Sequence, residues 1–160
     1  MIREKYSGTS LLKIITISNK LITMITFISY PILLCLLLLK KDVKLLRFIL
    51  IPGIAFAAIS IFRHIINRQR PYEKWGIKPL IPRDKAGKSF PSRHVFSIFI
   101  IAMLWLHISL PFGIFLLCAG LLLAFIRVFT GIHYISDVAV GALVGILCGI
   151  ASILPMIRLP

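Results

Sequence analysis

The sequence predicts an all-α integral membrane protein, a bundle of about five transmembrane helices preceded by an N-terminal amphipathic interfacial helix. Of the 160 residues, 59% are hydrophobic, and the mean hydropathy is +0.98. Two runs without a charged side chain, residues 21–39 and 138–157, each have about the length needed to cross the hydrocarbon layer. A chain this short and this apolar is expected to form a single membrane domain over residues 1–160.

The first three elements follow from the pattern of charges along the chain. Residues 1–20 mix basic and apolar side chains, which is typical of an amphipathic helix at the membrane interface. Residues 21–39 form the first predicted span. Residues 45–66 form the second, with Arg47 and Arg63 near its two ends, where a long basic side chain reaches the interface.

The next apolar segment is long enough for two short spans. Between positions 95 and 126, His107 is the only ionisable residue. Three residues that favour a turn lie near the middle of the segment: Ser109, Pro111 and Gly113. We therefore expect a third span over residues 93–110 and a fourth over residues 111–127.

Residues 134–157 form the fifth predicted span. Its glycines recur at every fourth position (141, 145 and 149), a spacing that predicts close packing against another membrane helix. Because successive spans alternate in direction, the second and fourth spans end at the face where the third and fifth begin. The loop over residues 67–92 and the N-terminal segment share this face, and the C-terminus lies opposite.

An arginine, a histidine and a carboxylate occur together between the fourth and fifth spans: Arg127, His133 and Asp137. Charged groups at membrane depth are costly, so they usually mark function. In a helix, His133 and Asp137 are four residues apart on one face, where the carboxylate can accept the Nδ1 proton and leave Nε2 as a nucleophile. Arg127 could then hold an anion in front of that nitrogen.

Two upstream segments complete a recognisable pattern. Arg63 is followed, after six residues, by Arg-Pro at positions 70–71, and Pro-Ser-Arg-His occupies positions 91–94. In this order, the three segments resemble the signature of the type 2 phosphatidic acid phosphatase family, which belongs to the superfamily of lipid phosphate phosphatases and vanadium haloperoxidases. Arg63 stands for the family's lysine, Arg93 for its glycine and Ile126 for its serine, and every other motif position matches.

The resemblance implies phosphate transfer through a phosphohistidine, which requires a nucleophile, an acid and positive charge around the phosphate. His133 would attack phosphorus, and Asp137 would orient the imidazole of His133. His94 would protonate the leaving lipid oxygen and then activate water. The phosphate would be bound by five further side chains: Arg63, Arg70, Ser92, Arg93 and Arg127.

No cofactor and no metal are expected. His133 and Asp137 would supply two metal ligands without a nearby third, which argues against a metal hydrolase. A phosphotransferase on the same scaffold stays open, because an alcohol can resolve a phosphohistidine as water does. A non-enzymatic small basic membrane subunit is the other alternative, but it gives no reason for these polar residues to converge.

The net charge of +14 raises the question of partners. Most basic residues flank the spans, where anionic lipid headgroups are nearer than nucleic acid. We therefore expect a membrane lipid phosphate as substrate, anionic headgroups as neighbours and no nucleic acid, and the sequence is compatible with a homo-oligomer. The candidate substrates are undecaprenyl diphosphate, phosphatidylglycerol phosphate and phosphatidic acid.

The orientation in the membrane rests on two opposing signals. Most basic residues lie on the active face, which by the positive-inside rule favours the cytoplasm. Several of them would bind substrate, however, and four others form a compact cluster at the opposite face: Lys40, Lys41, Lys44 and Arg47. Following the resemblance, we expect a bacterial cytoplasmic membrane protein with an extracytoplasmic active site.

Overall fold

The structure is a computed structural model that describes residues 10–81 and 86–154, and all regular elements in these two ranges are helices. Four of them are long and apolar enough to cross a membrane: α1 (Ser10–Leu39), α2 (Leu45–Ile66), α5 (Leu110–Phe129) and α6 (Ile135–Ile153). A shorter apolar helix, α4 (Arg93–Ile108), precedes α5. The predicted all-α membrane bundle is confirmed. A short helix of one turn, α3 (Pro71–Lys74), lies in the chain between α2 and α4.

The start of α1 differs from the sequence prediction. From Ser10 onward, the predicted interfacial segment and the first span form one continuous helix of 30 residues. No glycine or proline occurs between Ser10 and Lys20, so nothing in this stretch ends the helix. Residues 1–9 of the predicted interfacial segment lie outside the described part of the chain.

A sharp turn joins α4 to α5. The break falls at Ser109, whose backbone is extended with φ −148° and ψ 102°, and Pro111 follows at the start of α5. A Cβ atom added at Gly113 would lie 2.5 Å from the backbone nitrogen of Leu106. Glycine at this position therefore lets the two helices approach each other closely.

Helix α4 lies at the centre of the bundle, with its most extensive contacts to α6 and then to α5. The glycine repeat of α6 faces α4, as its spacing predicted. A Cβ atom added at Gly141 would lie 2.7 Å from the carbonyl oxygen of Ser92, and one added at Gly145 would lie 2.7 Å from that of Phe96. The absence of side chains here brings the two backbones together and places the start of α4 against the start of α6. Residues 155–157 of the predicted fifth span lie outside the described ranges.

Side-chain contacts also connect the helix ends at the face opposite the three polar motif segments. Lys44 Nζ, just before α2, is hydrogen-bonded to His107 Nε2 near the end of α4. Arg47 of α2 donates to the carbonyl oxygen of Leu154, just after α6. These ends lie on one side of the bundle. The other side brings together the end of α2, the start of α4, the end of α5 and the start of α6, and the polar motif residues lie there.

Candidate active site

His133 and Asp137 form a buried pair at the face where α5 ends and α6 begins. His133 Nδ1 lies 3.2 Å from Asp137 Oδ2, and the two residues are 2% and 0% exposed. An ionised carboxylate only accepts hydrogen bonds, so Nδ1 carries the imidazole proton. Nε2 then keeps its lone pair, which is the form required of a nucleophile.

The connection between α5 and α6 fixes His133 through its backbone. The carbonyl oxygen of Arg127, in the last turn of α5, accepts hydrogen bonds from the backbone N–H groups of Ile132 and His133, each at 3.1 Å. Gly131 has a φ of +72°, a left-handed conformation that glycine adopts without a steric penalty. This tight turn holds Arg127, which is 2% exposed, next to the histidine.

Asp137 has three further hydrogen-bond donors besides His133. The backbone N–H of Tyr134 donates to Oδ2 at 3.0 Å, and the Ser89 hydroxyl donates to the same oxygen. Arg68 donates to Oδ1 at 2.9 Å. A carboxylate with this many donors is stabilised in its ionised form and fixed in orientation.

Arg68 and Ser89 are residues that the sequence did not predict to belong to the site. The Arg68 guanidinium lies 4.1 Å from the centre of the Tyr134 ring and also donates to Ser136 Oγ at 2.9 Å. Arg68 belongs to the same basic segment as Arg63 and Arg70, and this was the one feature of the sequence that pointed to a place for Arg68 in the site. Nothing in the local sequence distinguishes Ser89.

Arg70 links the loop after α2 to the histidine turn. Its Nε donates to the carbonyl oxygen of Gly87 at 3.0 Å, and its Nη1 donates to that of Ile132 at 3.2 Å. Glu73 of α3 accepts from the backbone N–H groups of Arg70, at 3.3 Å, and Gly87, at 2.7 Å. The side chain is 2% exposed, so its charge is held in a buried position beside His133.

Arg63, in the last turn of α2, binds the segment that leads into α4. Its guanidinium donates to the carbonyl oxygens of Lys88, Ser89, at 3.1 Å, and Pro91. Three bonds from one planar group fix this irregular segment against α2. Arg63 therefore places Ser89 and Ser92 as well as bringing positive charge to this face.

The Pro-Ser-Arg-His segment, residues 91–94, meets the segment that carries Asp137 through the backbone. The N–H of Ser92 donates to the carbonyl oxygen of Asp137 at 2.9 Å, which places the first turn of α4, with His94, against the first turn of α6. Ser92 is fully buried, and its Oγ has no hydrogen-bond partner among the described residues. A buried hydroxyl of this kind is suited to donate to a bound anion.

The pKa of His133 reflects this environment. The pKa is lowered from 6.5 to about 4, mainly by burial and in part by the positive charges of Arg70 and Arg127, while the hydrogen bond to Asp137 and its charge act in the opposite direction. The imidazole is therefore neutral near pH 7. Both guanidinium groups are therefore close enough to His133 for their charge to act on it.

Arg93 has a different environment from the other predicted residues. Its guanidinium points toward α2, where Nη1 lies 3.4 Å from Ser60 Oγ and the group lies 5.7 Å from the centre of the Phe56 ring. Its predicted role in phosphate binding stays a prediction. Within residues 10–81 and 86–154, no three His, Cys, Asp or Glu side chains are grouped so that they could hold a metal ion.

Comparisons with known proteins agree with the motif pattern. The PAP2 superfamily matches residues 44–157, which include all three motif segments. The chain is 29% identical over 132 residues to undecaprenyl-diphosphatase BcrC of Bacillus subtilis (strain 168), covering 80% of this chain and 68% of that protein. It is also similar to the crystal structure of Aquifex aeolicus LpxE, with a TM-score of 0.67 and 26% identity, covering 89% of this chain and 92% of the other. The chain therefore belongs to the PAP2 superfamily and is a membrane lipid phosphatase that hydrolyses lipid phosphates.

Proposed function

We propose that this phosphatase hydrolyses undecaprenyl diphosphate without a metal ion, through a phosphohistidine formed on His133 Nε2. The observation that carries the mechanism is the buried pair of His133 and Asp137, 3.2 Å apart, with the charges of Arg70 and Arg127 beside it. The similarity to BcrC, a protein named for undecaprenyl diphosphate hydrolysis, supports this substrate over the other lipid phosphates.

In the first step, Nε2 of His133 attacks the terminal phosphorus as the bond to the leaving lipid phosphate oxygen breaks. Positive charge develops on the imidazole, and Asp137, which accepts from Nδ1, stabilises it. His94, in the first turn of α4 beside this pair, donates a proton to the leaving oxygen. Arg70 and Arg127 stabilise the negative charge on the equatorial phosphate oxygens.

In the second step, His94 takes a proton from water, and the water oxygen attacks phosphorus as the bond to Nε2 breaks. Inorganic phosphate is released and the neutral imidazole is restored. The Ser92 hydroxyl, buried without a partner among the described side chains, donates to the phosphate in both steps. Arg63 and Arg93 add positive charge, and Arg63 also holds the segment that carries Ser92.

The mechanism is tested with purified protein in detergent, by phosphate release from undecaprenyl diphosphate, phosphatidylglycerol phosphate and phosphatidic acid. We expect undecaprenyl diphosphate to give the highest kcat/KM and excess EDTA to leave turnover unchanged. An acid-labile phosphoenzyme should form with ³²P-labelled substrate and disappear in His133→Ala. His107→Ala is the matched control, because His107 lies at the opposite face next to Lys44.

Two results would contradict the mechanism: near wild-type turnover of His133→Ala, or loss of activity with EDTA that magnesium or zinc restores. A phosphotransferase would instead transfer the labelled phosphate to an added alcohol in preference to water. Hydrolysis as the main outcome at high alcohol concentration supports the phosphatase.

We further propose that the active face is extracytoplasmic in a bacterial cytoplasmic membrane. Single cysteines introduced at Lys78 and Lys41, both exposed and on opposite faces, can be treated in intact cells with a membrane-impermeant thiol reagent, in a chain whose three native cysteines are replaced by alanine. Labelling at position 78 and protection at position 41 is the expected result. The reverse pattern would place the site in the cytoplasm.

A further inference from the structure

An apolar groove lies between α1, α2 and α4, on the membrane side of the active face. Its volume is about 250 Å³, and its walls include Phe27 of α1, Gly53 and Phe56 of α2, and Phe96 and Ile101 of α4. Phe27 and Phe56 are 54% and 39% exposed. The groove is therefore open toward the surrounding lipid rather than sealed inside the bundle.

The groove begins close to the candidate active site. Phe96 follows His94 by two residues on α4, and Phe56 precedes Arg63 by seven residues, about two turns, on α2. A molecule that occupies the groove thus has one end next to the residues proposed to bind phosphate and its other end deeper in the membrane.

Arg93 gives the groove a polarity. Its guanidinium lies 5.7 Å from the centre of the Phe56 ring and is hydrogen-bonded to Ser60 at 3.4 Å, so a cation stands at the end nearer the active face. The walls beyond it are apolar. Positive charge followed by apolar surface complements an amphiphile that has an anionic headgroup and a hydrocarbon chain.

The groove, whose α4 wall begins at Phe96, has a definite length when it is measured from Arg93 at its headgroup end. From Arg93 to Ile101, α4 rises about 12 Å, at 1.5 Å per residue. An extended chain advances about 1.2 Å per bond, judging from the length of an extended polypeptide. The groove therefore accommodates roughly ten carbons counted from the headgroup.

We infer that this groove binds the first ten or so carbons of the hydrocarbon chain of the lipid phosphate, with Arg93 beside the headgroup end. This inference rests on the proposed function, because the same molecule must place its phosphorus in front of His133. Holding the chain along α4 restricts the approach of the phosphate to Nε2, so the groove determines which lipids are efficient substrates.

Gly53 provides the test. A Cβ atom added there would meet nothing within 4 Å, so Gly53→Leu fills the groove without forcing the helices apart. Ala58→Leu is the matched control, since Ala58 is an exposed residue of the same helix that does not line the groove. The wild type and both variants are assayed in the same detergent with alkyl phosphates of 4 to 16 carbons. The partition of each ester into the micelle is then the same for the three proteins.

For the wild type, we expect kcat/KM to rise with chain length and level off near ten carbons. Gly53→Leu should reduce the ratio of kcat/KM for the 12-carbon ester to that for the 4-carbon ester by about tenfold, the effect of roughly two methylene groups losing their contacts. Ala58→Leu should keep the wild-type ratio. An unchanged ratio in Gly53→Leu, or an equal fall in both variants, would overturn the inference.

A second measurement separates the groove from the proposed chemistry. A non-hydrolysable dodecyl phosphonate with a diazirine near its tenth carbon is cross-linked to wild-type protein, and the labelled residues are mapped by mass spectrometry. Label on α2 near Gly53 or on α4 near Ile101 supports the groove even if His133 proves not to be the nucleophile. Label confined to α5 and α6 would refute it.

Discussion

The substitution Gly141→Ala tests whether the approach of α4 to α6 builds the active site. The added Cβ would lie 2.7 Å from the carbonyl oxygen of Ser92, which is 0.7 Å less than the 3.4 Å at which ordinary contact begins. The carbonyl belongs to the backbone at the start of α4, so no flexible side chain can relieve the contact. The first turn of α4 must move away from α6 by several tenths of an ångström.

That movement shifts His94, the proposed acid and base, relative to the pair of His133 and Asp137. Ser92 is tied to the Asp137 carbonyl by a 2.9 Å hydrogen bond, and His94 lies in the same turn. Because a misplacement of about 1 Å can reduce the rate by about 100-fold, we expect kcat/KM to fall by roughly 10- to 100-fold. Overpacking costs about 1–3 kcal/mol, and alanine returns about 0.5–1 kcal/mol through its helix preference, so the net loss of stability is at most about 2.5 kcal/mol.

The assay combines kcat/KM for undecaprenyl diphosphate with thermal unfolding in detergent, and Gly149→Ala is the control. The Cβ added at Gly149 would lie 2.3 Å from Met103 Cβ, but this contact is about 12 Å farther along α6. Gly149→Ala should therefore lower the Tm without a comparable loss of kcat. Wild-type kcat/KM in Gly141→Ala, or equal losses of kcat/KM in both variants, would refute the reasoning.

Further predictions concern the residues around Asp137 and the protonation of His133. Ser89→Ala should reduce kcat by roughly tenfold with little change in KM, because one hydrogen bond that orients Asp137 is lost; steady-state kinetics measure both constants. Arg68→Ala should reduce kcat further and Arg68→Lys should restore part of it, since the lost bond is charge-assisted; an equal kcat for both variants would exclude an orienting role for the charge. Because the pKa of His133 is about 4 in the folded protein and about 6.5 in an unfolded chain, the unfolded state binds the proton first. The free energy of unfolding should therefore decrease as the pH falls from about 6.5 to 4, by about 3 kcal/mol from this group, and this part of the dependence should disappear in His133→Gln. A pH-independent stability over this range would contradict the buried, neutral histidine.

The sequence by itself determined the membrane bundle. The apolar runs are long enough to span a bilayer, and the backbone there must satisfy its own hydrogen bonds, which in an apolar chain of this length favours helices. It also determined the pairing of His133 with Asp137 and the packing face formed by the glycines of α6. The glycine face follows from the helix repeat. His133 lies two residues before α6 begins, so its pairing with Asp137 follows from their short separation along the chain and from the turn after α5, not from a shared helix.

The tertiary structure alone decided how the polar residues divide their contacts. Arg63 and Arg70 both read as phosphate ligands in the sequence, yet their guanidinium groups are also bonded to carbonyl oxygens of segments 17 to 62 residues away. Arg68 and Ser89 reach Asp137 from 69 and 48 residues away. A long side chain can reach many positions from one backbone site, and only the packing of α4 against α6, together with the loop held by Arg63, determines which of them it occupies.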